Sequence, residues 1–132
     1  MGETGISIRG VSKVYGQGPR ETLALAPIDL DIAPGEFVAI VGPSGCGKST
    51  LLRLVTGLVP RSGGDLTVFG TPVTKPVTDV GIVFQQPILL EWRNVLDNVL
   101  FQIDMRGLDR AAYLPRAHAL LKAVGLADFA DR

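Results

Sequence analysis

Nine consecutive residues in the first half of the chain have the types and the spacing of a phosphate-binding loop. They read Gly42-Pro43-Ser44-Gly45-Cys46-Gly47-Lys48-Ser49-Thr50. This segment matches the pattern G-x-x-x-x-G-K-[ST] at every fixed position. Glycines let the backbone adopt angles closed to other residues and approach an anion closely, so that several N–H groups can converge on it. The sequence therefore predicts that all nine residues contact the phosphates of a nucleotide.

The polar side chains of this loop predict how it would hold a nucleotide and its magnesium ion. Lys48 would place its ammonium against the β- and γ-phosphates, and Ser49 would bind Mg²⁺ through its hydroxyl. Thr50 is placed to meet the α-phosphate. Cys46 would contribute its backbone N–H, because the chain's one cysteine cannot form an internal disulfide. The alternatives are a glycine-rich turn that precedes a helix by chance, and a reactive thiol at this position.

The residues that flank the loop predict the elements that position it. Residues 37–41, Phe-Val-Ala-Ile-Val, form an unbroken apolar run, which is typical of a parallel strand buried on both faces. After the loop, apolar residues recur at helical spacing over 51–59. A helix beginning here would add the positive end of its dipole to the phosphate site. Strand, loop and helix are the context that the motif needs.

Further strands are predicted on both sides of this unit. Apolar residues alternate over 6–9, and Val11, Val14 and Tyr15 then lead into a turn at 16–19. Apolar residues alternate again over 23–32, where Pro27 indicates a bulge or an edge position. Two antiparallel strands should therefore precede the phosphate loop. Residues 65–69 and 79–84 are two more strand candidates, separated by a stretch rich in Pro and Thr.

The last third of the chain predicts helices. Apolar residues fit one helical face over 95–103 and another over 113–124, with Gly125 as the C-terminal stop of the second. Pro115 lies inside the second pattern, so that either the helix begins there or it is kinked. The change in character near residues 85–93 indicates a boundary between an α/β part and a helical part.

Composition and charge restrict the class of protein further. The 132 residues allow one domain at most, and 46% of them are hydrophobic, as in ordinary globular chains. Thirteen basic and thirteen acidic residues balance without a like-charged block, which argues against a nucleic-acid surface. A single cysteine fits a reducing compartment. The N-terminus lacks the features of a signal peptide and no apolar run approaches ~18 residues, so we expect a soluble protein that reaches membranes only through a partner.

Four segments beyond the phosphate loop resemble those of the ATP-binding subunits of ABC transporters. They are Val11-Ser12-Lys13-Val14-Tyr15-Gly16, Val83-Phe84-Gln85-Gln86-Pro87, Ile88-Leu89-Leu90-Glu91-Trp92-Arg93-Asn94-Val95 and Val124-Gly125-Leu126. The resemblance implies the α/β fold of P-loop NTPases, with a RecA-like core, an N-terminal antiparallel β-subdomain and the start of an α-helical subdomain. It places the β-subdomain and the ATP-binding core in residues 1–86 and a partial helical subdomain in 87–132.

The resemblance also implies roles for residues outside the loop. Tyr15 would stack on the adenine ring of ATP, although a tyrosine that packs at a strand end is the alternative. Gln85 would reach the Mg²⁺ and the attacking water, and with Lys48 it would be a catalytic residue. The alternative is a polar loop residue satisfied by backbone groups. Gln86 is the neighbouring candidate if the register shifts by one.

Partners are implied by the same resemblance. The segment Pro87–Arg93 resembles the groove in which a transmembrane permease subunit docks, and the alternative is that its apolar residues are core of the helical part. A second ATP-binding subunit would complete a dimer, a periplasmic or surface solute-binding protein would act indirectly, and nucleic acid is excluded. The implied location is the cytoplasmic side of the plasma (inner) membrane. Residues 89–99 and 124–129 resemble importers of nitrate, sulfonate or taurine.

After these segments the chain departs from the family pattern. It contains no LSGGQ-like run, no apolar strand ending in Asp-Glu and no switch histidine, since His118 belongs to the surface of the second predicted helix. We therefore expect an incomplete core, with the apolar faces of 51–59 and 80–84 partly uncovered. The chain would bind Mg-ATP but hydrolyse it poorly, whether it is a truncated sequence or a natural short protein. The alternatives are a non-catalytic nucleotide-binding module or another P-loop NTPase, although the base-reading motif of GTPases is absent.

Overall fold

The computed structural model describes residues 4–132. Contacts between residues divide the chain into two compact units, and the division falls between Val80 and Gly81. The first unit holds a small sheet and the helix that follows the phosphate loop. The second unit, Gly81–Arg132, is built from short helices. The functional boundary expected after Gln86 stays a prediction.

The first unit contains a four-stranded antiparallel sheet with the spatial order β2-β1-β3-β4. Its strands are β1 (Ile6–Tyr15), β2 (Thr22–Ile32), β3 (Gly63–Val68) and β4 (Thr71–Pro72), and a 3-10 helix (Gly18–Arg20) lies between β1 and β2. The two antiparallel strands predicted before the phosphate loop are therefore confirmed as β1 and β2, and the candidate at 65–69 corresponds to β3.

Irregular pairing of β1 and β2 explains the position of a proline in a strand. Val11 pairs with Ile28, but Lys13 pairs with Leu25, so that β2 contains one more residue than β1 between these pairs. Pro27 lies in this interval. A bulge leaves one backbone position outside the regular ladder, which suits a residue that has no N–H to donate. The prediction of a bulge or an edge position at Pro27 is confirmed in both respects, since β2 is also an edge strand of the sheet.

Helix α1 (Lys48–Val55) covers the sheet and closes a small apolar core. Its buried side chains, Leu51 and Leu54, pack with Ile8, Val11 and Leu66 of the sheet. The helical spacing after the phosphate loop therefore predicts this element correctly. The pattern extended to Val59, whereas the helix ends at Val55.

Two predicted strands are not present. Residues 37–41 and 79–84 form no strand, and Phe37 and Val41 are 93% and 90% exposed. A buried parallel strand needs neighbours that pair with its backbone and cover both faces. Within residues 4–132 no strand pairs with either segment. The prediction of strands is wrong here, while the expectation of uncovered apolar residues is confirmed, since Val83 is 97% exposed.

The second unit consists of α2 (Val95–Val99), α3 (Phe101–Met105), α4 (Arg110–Ala123) and a 3-10 helix (Ala127–Phe129). The single face predicted over 95–103 is therefore divided between α2 and α3, which meet at Leu100. Asp109 caps α4, because its side chain accepts a hydrogen bond from the N–H of Ala111. Pro115 lies inside α4, so the helix does not begin at this proline. Gly125 follows its end with φ +74°, as predicted.

The helices of the described residues are short. The longest, α4, has 14 residues. None in residues 4–132 combines the length and the apolar character that crossing a membrane requires. His118 is exposed on α4, in agreement with the prediction from the sequence.

Candidate functional site

The phosphate-loop segment leads from the exposed run at 37–41 into the first turn of α1. Gly45 and Gly47 have φ angles of +81° and +101°, in the left-handed region that favours glycine. Gly47 is the residue before α1, and a Cβ added to it would lie 2.7 Å from the carbonyl oxygen of Ala24 and 3.0 Å from Cδ1 of Leu25. A glycine is therefore required at 47 for two separate reasons, backbone angle and space.

The side chain of Lys48 folds back over this loop. Its Nζ donates hydrogen bonds to the carbonyl oxygens of Gly42, at 2.6 Å, and Pro43, at 2.8 Å, and lies 3.5 Å from Sγ of Cys46. The Lys48 side chain thus extends from the start of the helix back to the first residue of the loop. Because the loop residues are mostly exposed, the positive charge lies where an anion from solvent can reach it.

The remaining loop side chains leave the first turn of α1 accessible. Ser49 is exposed, Thr50 is partly buried, and Ser44 and the free thiol of Cys46 are exposed. A Cβ on Gly45 would meet no atom within 4 Å, so the space beside the loop is open at this position. Ser49 lies in the first turn of α1, at the positive end of the helix dipole, where an anion is favoured.

Tyr15 ends β1 and is 38% exposed. Nζ of Lys13 lies 4.9 Å from the centre of the Tyr15 ring, within the range of a cation–π contact. Lys13 itself is 8% exposed and donates from Nζ to the carbonyl oxygen of Pro60 at 2.6 Å. The candidate stacking residue is therefore held at the end of the sheet by a buried cation.

The phosphate loop and Tyr15 belong to the same unit and meet the same strand. Gly47 lies against Leu25 of β2, and Leu25 pairs with Lys13 of β1, two residues before Tyr15. The fold therefore brings the predicted phosphate contacts and the predicted base contact to one end of the β1–β2 pair.

Gln85 and Gln86 belong to the second unit. Both are exposed and lie in a bend that precedes the helices. In the described part of the chain, no hydrogen bond fixes the side chain of Gln85 or Gln86. The roles at the magnesium ion and the attacking water stay predictions for Gln85.

The segment Pro87–Arg93 exposes large apolar side chains. Ile88, Leu89 and Trp92 are 66%, 68% and 80% exposed. The alternative, that the apolar residues of this segment are core of the helical part, is therefore wrong for Leu89 and Trp92, whereas Leu90 is partly buried. Exposed aromatic and aliphatic residues on one short segment are typical of a surface that a partner covers.

Asn98 of α2 fixes the backbone of this segment. Its Oδ1 accepts from the N–H of Leu90 at 2.8 Å, and its Nδ2 donates to the carbonyl oxygens of Leu90, Arg93 and Asn94 at 3.1, 3.0 and 3.0 Å. One side chain thus satisfies backbone groups at three positions of an irregular loop. Sequence reasoning missed this residue, because an asparagine at the polar face of a helix gives no signal of such bonds.

A network of charges joins the same segment to the helices. Oδ2 of Asp104 accepts from Arg93 and Arg110, each at 2.9 Å, and Arg110 also pairs with Asp97. The hydrogen bond from Arg93, followed by that from Arg110, lowers the pKa of Asp104 below its usual value. The hydrogen bond with Asp97 and then that with Asp104 raise the pKa of Arg110. The guanidinium of Arg93 also lies 5.2 Å from the centre of the Phe101 ring.

Comparisons with known proteins show the family to which the chain belongs. The family model described as ABC transporter matches residues 25–132. A protein of Brucella abortus (strain 2308) named for ATP binding is 47% identical over 109 residues, which are 83% of this chain and 42% of the relative. The taurine import ATP-binding protein TauB of Escherichia coli (strain K12) is 44% identical over 112 residues, 85% of this chain and 42% of the relative. The chain therefore spans about two fifths of the length of these curated relatives.

A solved structure shares the fold. The ATP-binding cassette MJ0796, described as dimeric, in a post-hydrolysis state and bound to ADP and Pi, superimposes with a TM-score of 0.82 at 29% sequence identity. The match covers 96% of this chain and 60% of the cassette chain. The predicted fold class, a P-loop NTPase of the ATP-binding cassette kind, is confirmed by this similarity.

Proposed function

The chain belongs to the ABC transporter family, and from that premise we propose that its phosphate loop binds the triphosphate of ATP. The observation that supports this most directly is the position of Lys48. Its side chain reaches from the N-terminus of α1 back across the loop, and its ammonium bonds to the carbonyl oxygens of Gly42 and Pro43. These two carbonyl oxygens hold the charge at the loop, whose backbone N–H groups would contact the phosphates. A polyphosphate has the charge and the acceptor oxygens that such a cradle selects.

The residues of the loop fit ATP and a magnesium ion. The left-handed Gly45 leaves open space at the loop, Ser49 exposes a hydroxyl, and Lys48 supplies the cation. Ser49 would bind Mg²⁺ and Thr50 would meet the α-phosphate. When bound, Mg-ATP supplies a phosphoanhydride bond, and its hydrolysis can drive a conformational change.

Two residues outside the loop complete the proposed site. Tyr15 would stack its exposed ring on adenine, a contact worth roughly 1–3 kcal/mol by analogy with base–aromatic stacking. Gln85 would hold the Mg²⁺ and orient the attacking water in the complete assembly. Its exposed side chain, at the start of the second unit, is available for such contacts.

The proposed cellular role is that of the ATP-binding subunit of an importer. The exposed segment Pro87–Arg93 would dock a transmembrane permease subunit, which would hold the protein at the cytoplasmic face of the membrane. A second ATP-binding subunit would complete a dimer, by analogy with the dimeric MJ0796 cassette. A solute-binding protein would deliver solute on the other side of the membrane.

The solute we propose is a small organic anion of the sulfonate type. Support comes from the taurine import proteins among the relatives, 44% identical to this chain. Substrate choice depends on the permease and the solute-binding protein rather than on the ATP-binding subunit. The genes that flank this one are therefore the decisive observation: permease and binding-protein genes of another solute class would refute this proposal.

We also propose that these 132 residues bind ATP with little turnover. They contain neither an LSGGQ-like run nor an Asp-Glu pair after an apolar strand. Hydrolysis needs a positioned nucleophile and groups that stabilise the transition state, and removal of one such group costs about 10²–10³ in rate. Phosphate release by this chain that disappears in Lys48→Ala would refute this proposal.

Isothermal titration calorimetry with Mg-ATP tests the binding proposal. We expect association with the unaltered chain and an affinity about tenfold to hundredfold lower for Lys48→Ala, since hydrogen bonds to charged groups contribute about 1.5–3 kcal/mol. Arg53→Ala is the matched control, because it removes the same charge from an exposed position of α1. No association at millimolar Mg-ATP, with the chain shown to be folded by circular dichroism, would refute the proposal.

A further inference from the structure

We propose that Lys13 is a positioning residue that fixes the ring of Tyr15 for stacking on a purine base. The inference rests on the proposed function, which assigns that ring to adenine. Nζ of Lys13 lies 4.9 Å from the ring centre, so the chain's own cation holds the ring through its π face. Tyr15 remains 38% exposed, which leaves ring surface for a base.

The burial of Lys13 calls for such a role. Lys13 is 8% exposed, and a lysine is rarely buried unless its ammonium is paired. In the described part of the chain no carboxylate forms an ion pair with it. The partners that the structure gives its ammonium are the carbonyl oxygen of Pro60, at 2.6 Å, and the Tyr15 ring. A buried methionine would fill the same space without the cost of desolvating a charge.

A second tether holds the end of β1 at the same place. Strand β3 pairs with β1 only as far as Ser12, opposite Gly63. Beyond that point Oγ of Ser62 takes over, since it accepts from the N–H of Val14 at 2.9 Å and donates to the Val14 carbonyl oxygen at 3.3 Å. The backbone that carries Tyr15 is therefore fixed by the segment that includes Pro60 and Ser62.

The strand position of Lys13 is linked to the phosphate loop through Leu25. It pairs with Leu25 of β2, against which Gly47 of the loop packs. The segment that it binds, at Pro60, follows α1, the helix that begins at Lys48. The backbone of Lys13 thus pairs beside the loop, whereas its side chain contacts the Tyr15 ring and the segment after α1.

The test compares ATP with a ligand that has phosphates and no base. We expect Lys13→Met to weaken the binding of Mg-ATP about fivefold, because base–aromatic stacking is lost in part. The affinity for inorganic tripolyphosphate should change by less than about twofold, because α1 and the loop are retained. Calorimetry measures both constants, and tripolyphosphate binding shows that the variant is folded.

A double-mutant cycle separates positioning from general destabilisation. Tyr15→Leu should weaken ATP binding alone, and adding Lys13→Met to it should have no further effect on ATP, since the two residues act as one unit. Equal weakening of ATP and tripolyphosphate by Lys13→Met would overturn the inference, as would an unchanged ATP affinity. If the unaltered chain binds no ATP, the proposed function fails and this inference fails with it. If it binds ATP and Lys13→Met has no effect, this inference alone fails.

Discussion

Asn98 and Leu90 are joined by a reciprocal pair of hydrogen bonds, from the N–H of Leu90 to Oδ1 of Asn98 and from Nδ2 of Asn98 to the Leu90 carbonyl oxygen. The pair closes an irregular loop against the first helix of the second unit. Leu89 and Trp92, on either side of Leu90, are thereby presented to solvent from a fixed backbone. A surface that is ordered before binding loses less entropy when a partner covers it.

Removal of this amide should loosen the loop. We expect Asn98→Ala to destabilise the second unit by about 1–2 kcal/mol, because several backbone groups lose their partner. Hydrogen exchange of the Leu90 amide should become faster than in the unaltered chain. Asn98→Asp keeps the acceptor for Leu90 but loses the donor, so it should protect this amide while still destabilising the unit. Gln102→Ala, at an exposed position of α3, is the control. An unchanged exchange rate at Leu90 in Asn98→Ala would contradict the prediction.

The two left-handed glycines of the phosphate loop should differ in their tolerance of a methyl group. Gly47→Ala combines φ +101° with a Cβ placed 2.7 Å from the Ala24 carbonyl oxygen, so we expect a loss of about 1–3 kcal/mol in the free energy of unfolding. Gly45→Ala has the strained angle but meets no atom within 4 Å, so its loss should be about 1 kcal/mol. Urea unfolding followed by circular dichroism measures both. Equal losses in the two variants would show that the close contact of a Cβ at position 47 does not reduce stability beyond the effect of the backbone angle.

The ion-pair network of the second unit should make its stability depend on pH. Arg93 and Arg110 lower the pKa of Asp104 in the folded state, so the ionised carboxylate stabilises the fold above the ordinary aspartate pKa of about 4. This stabilisation is lost as the pH falls through the lowered pKa. We therefore expect Asp104→Asn to reduce the melting temperature at pH 7, and to have a decreasing effect as the pH is lowered below about 4.

The control for this prediction is Asp131→Asn, which makes the same charge change at an exposed position near the end of the chain. The Asp131→Asn variant should have nearly the same melting temperature as the unaltered chain at pH 7 and at pH 3. High salt should reduce the effect of Asp104→Asn, since these side chains are partly exposed and screened. An Asp104→Asn effect of the same size at pH 3 and pH 7 would exclude an electrostatic origin.

The sequence alone determined the parts of this protein that depend on local patterns. Alternation over 6–9 and 23–32 predicted β1 and β2, with Pro27 at their bulge, and the residues after the phosphate loop predicted α1. Gly125 marked the end of α4. Each of these signals lies within the element that it predicts or directly beside it, because side-chain period and backbone angle are properties of a few consecutive residues.

Tertiary structure decided the features that depend on residues far apart in the chain. Residues 37–41 have the pattern of a buried strand but form none, because a strand exists only through the backbone groups of a neighbour. The contact of Lys13 with Pro60 joins residues 47 positions apart, and the local sequence around neither residue predicts it. Asn98 is similar, since its role depends on where Leu90 returns in space. Local composition specifies which conformations are favourable, whereas pairing, burial and charge contacts are determined only when the chain is folded.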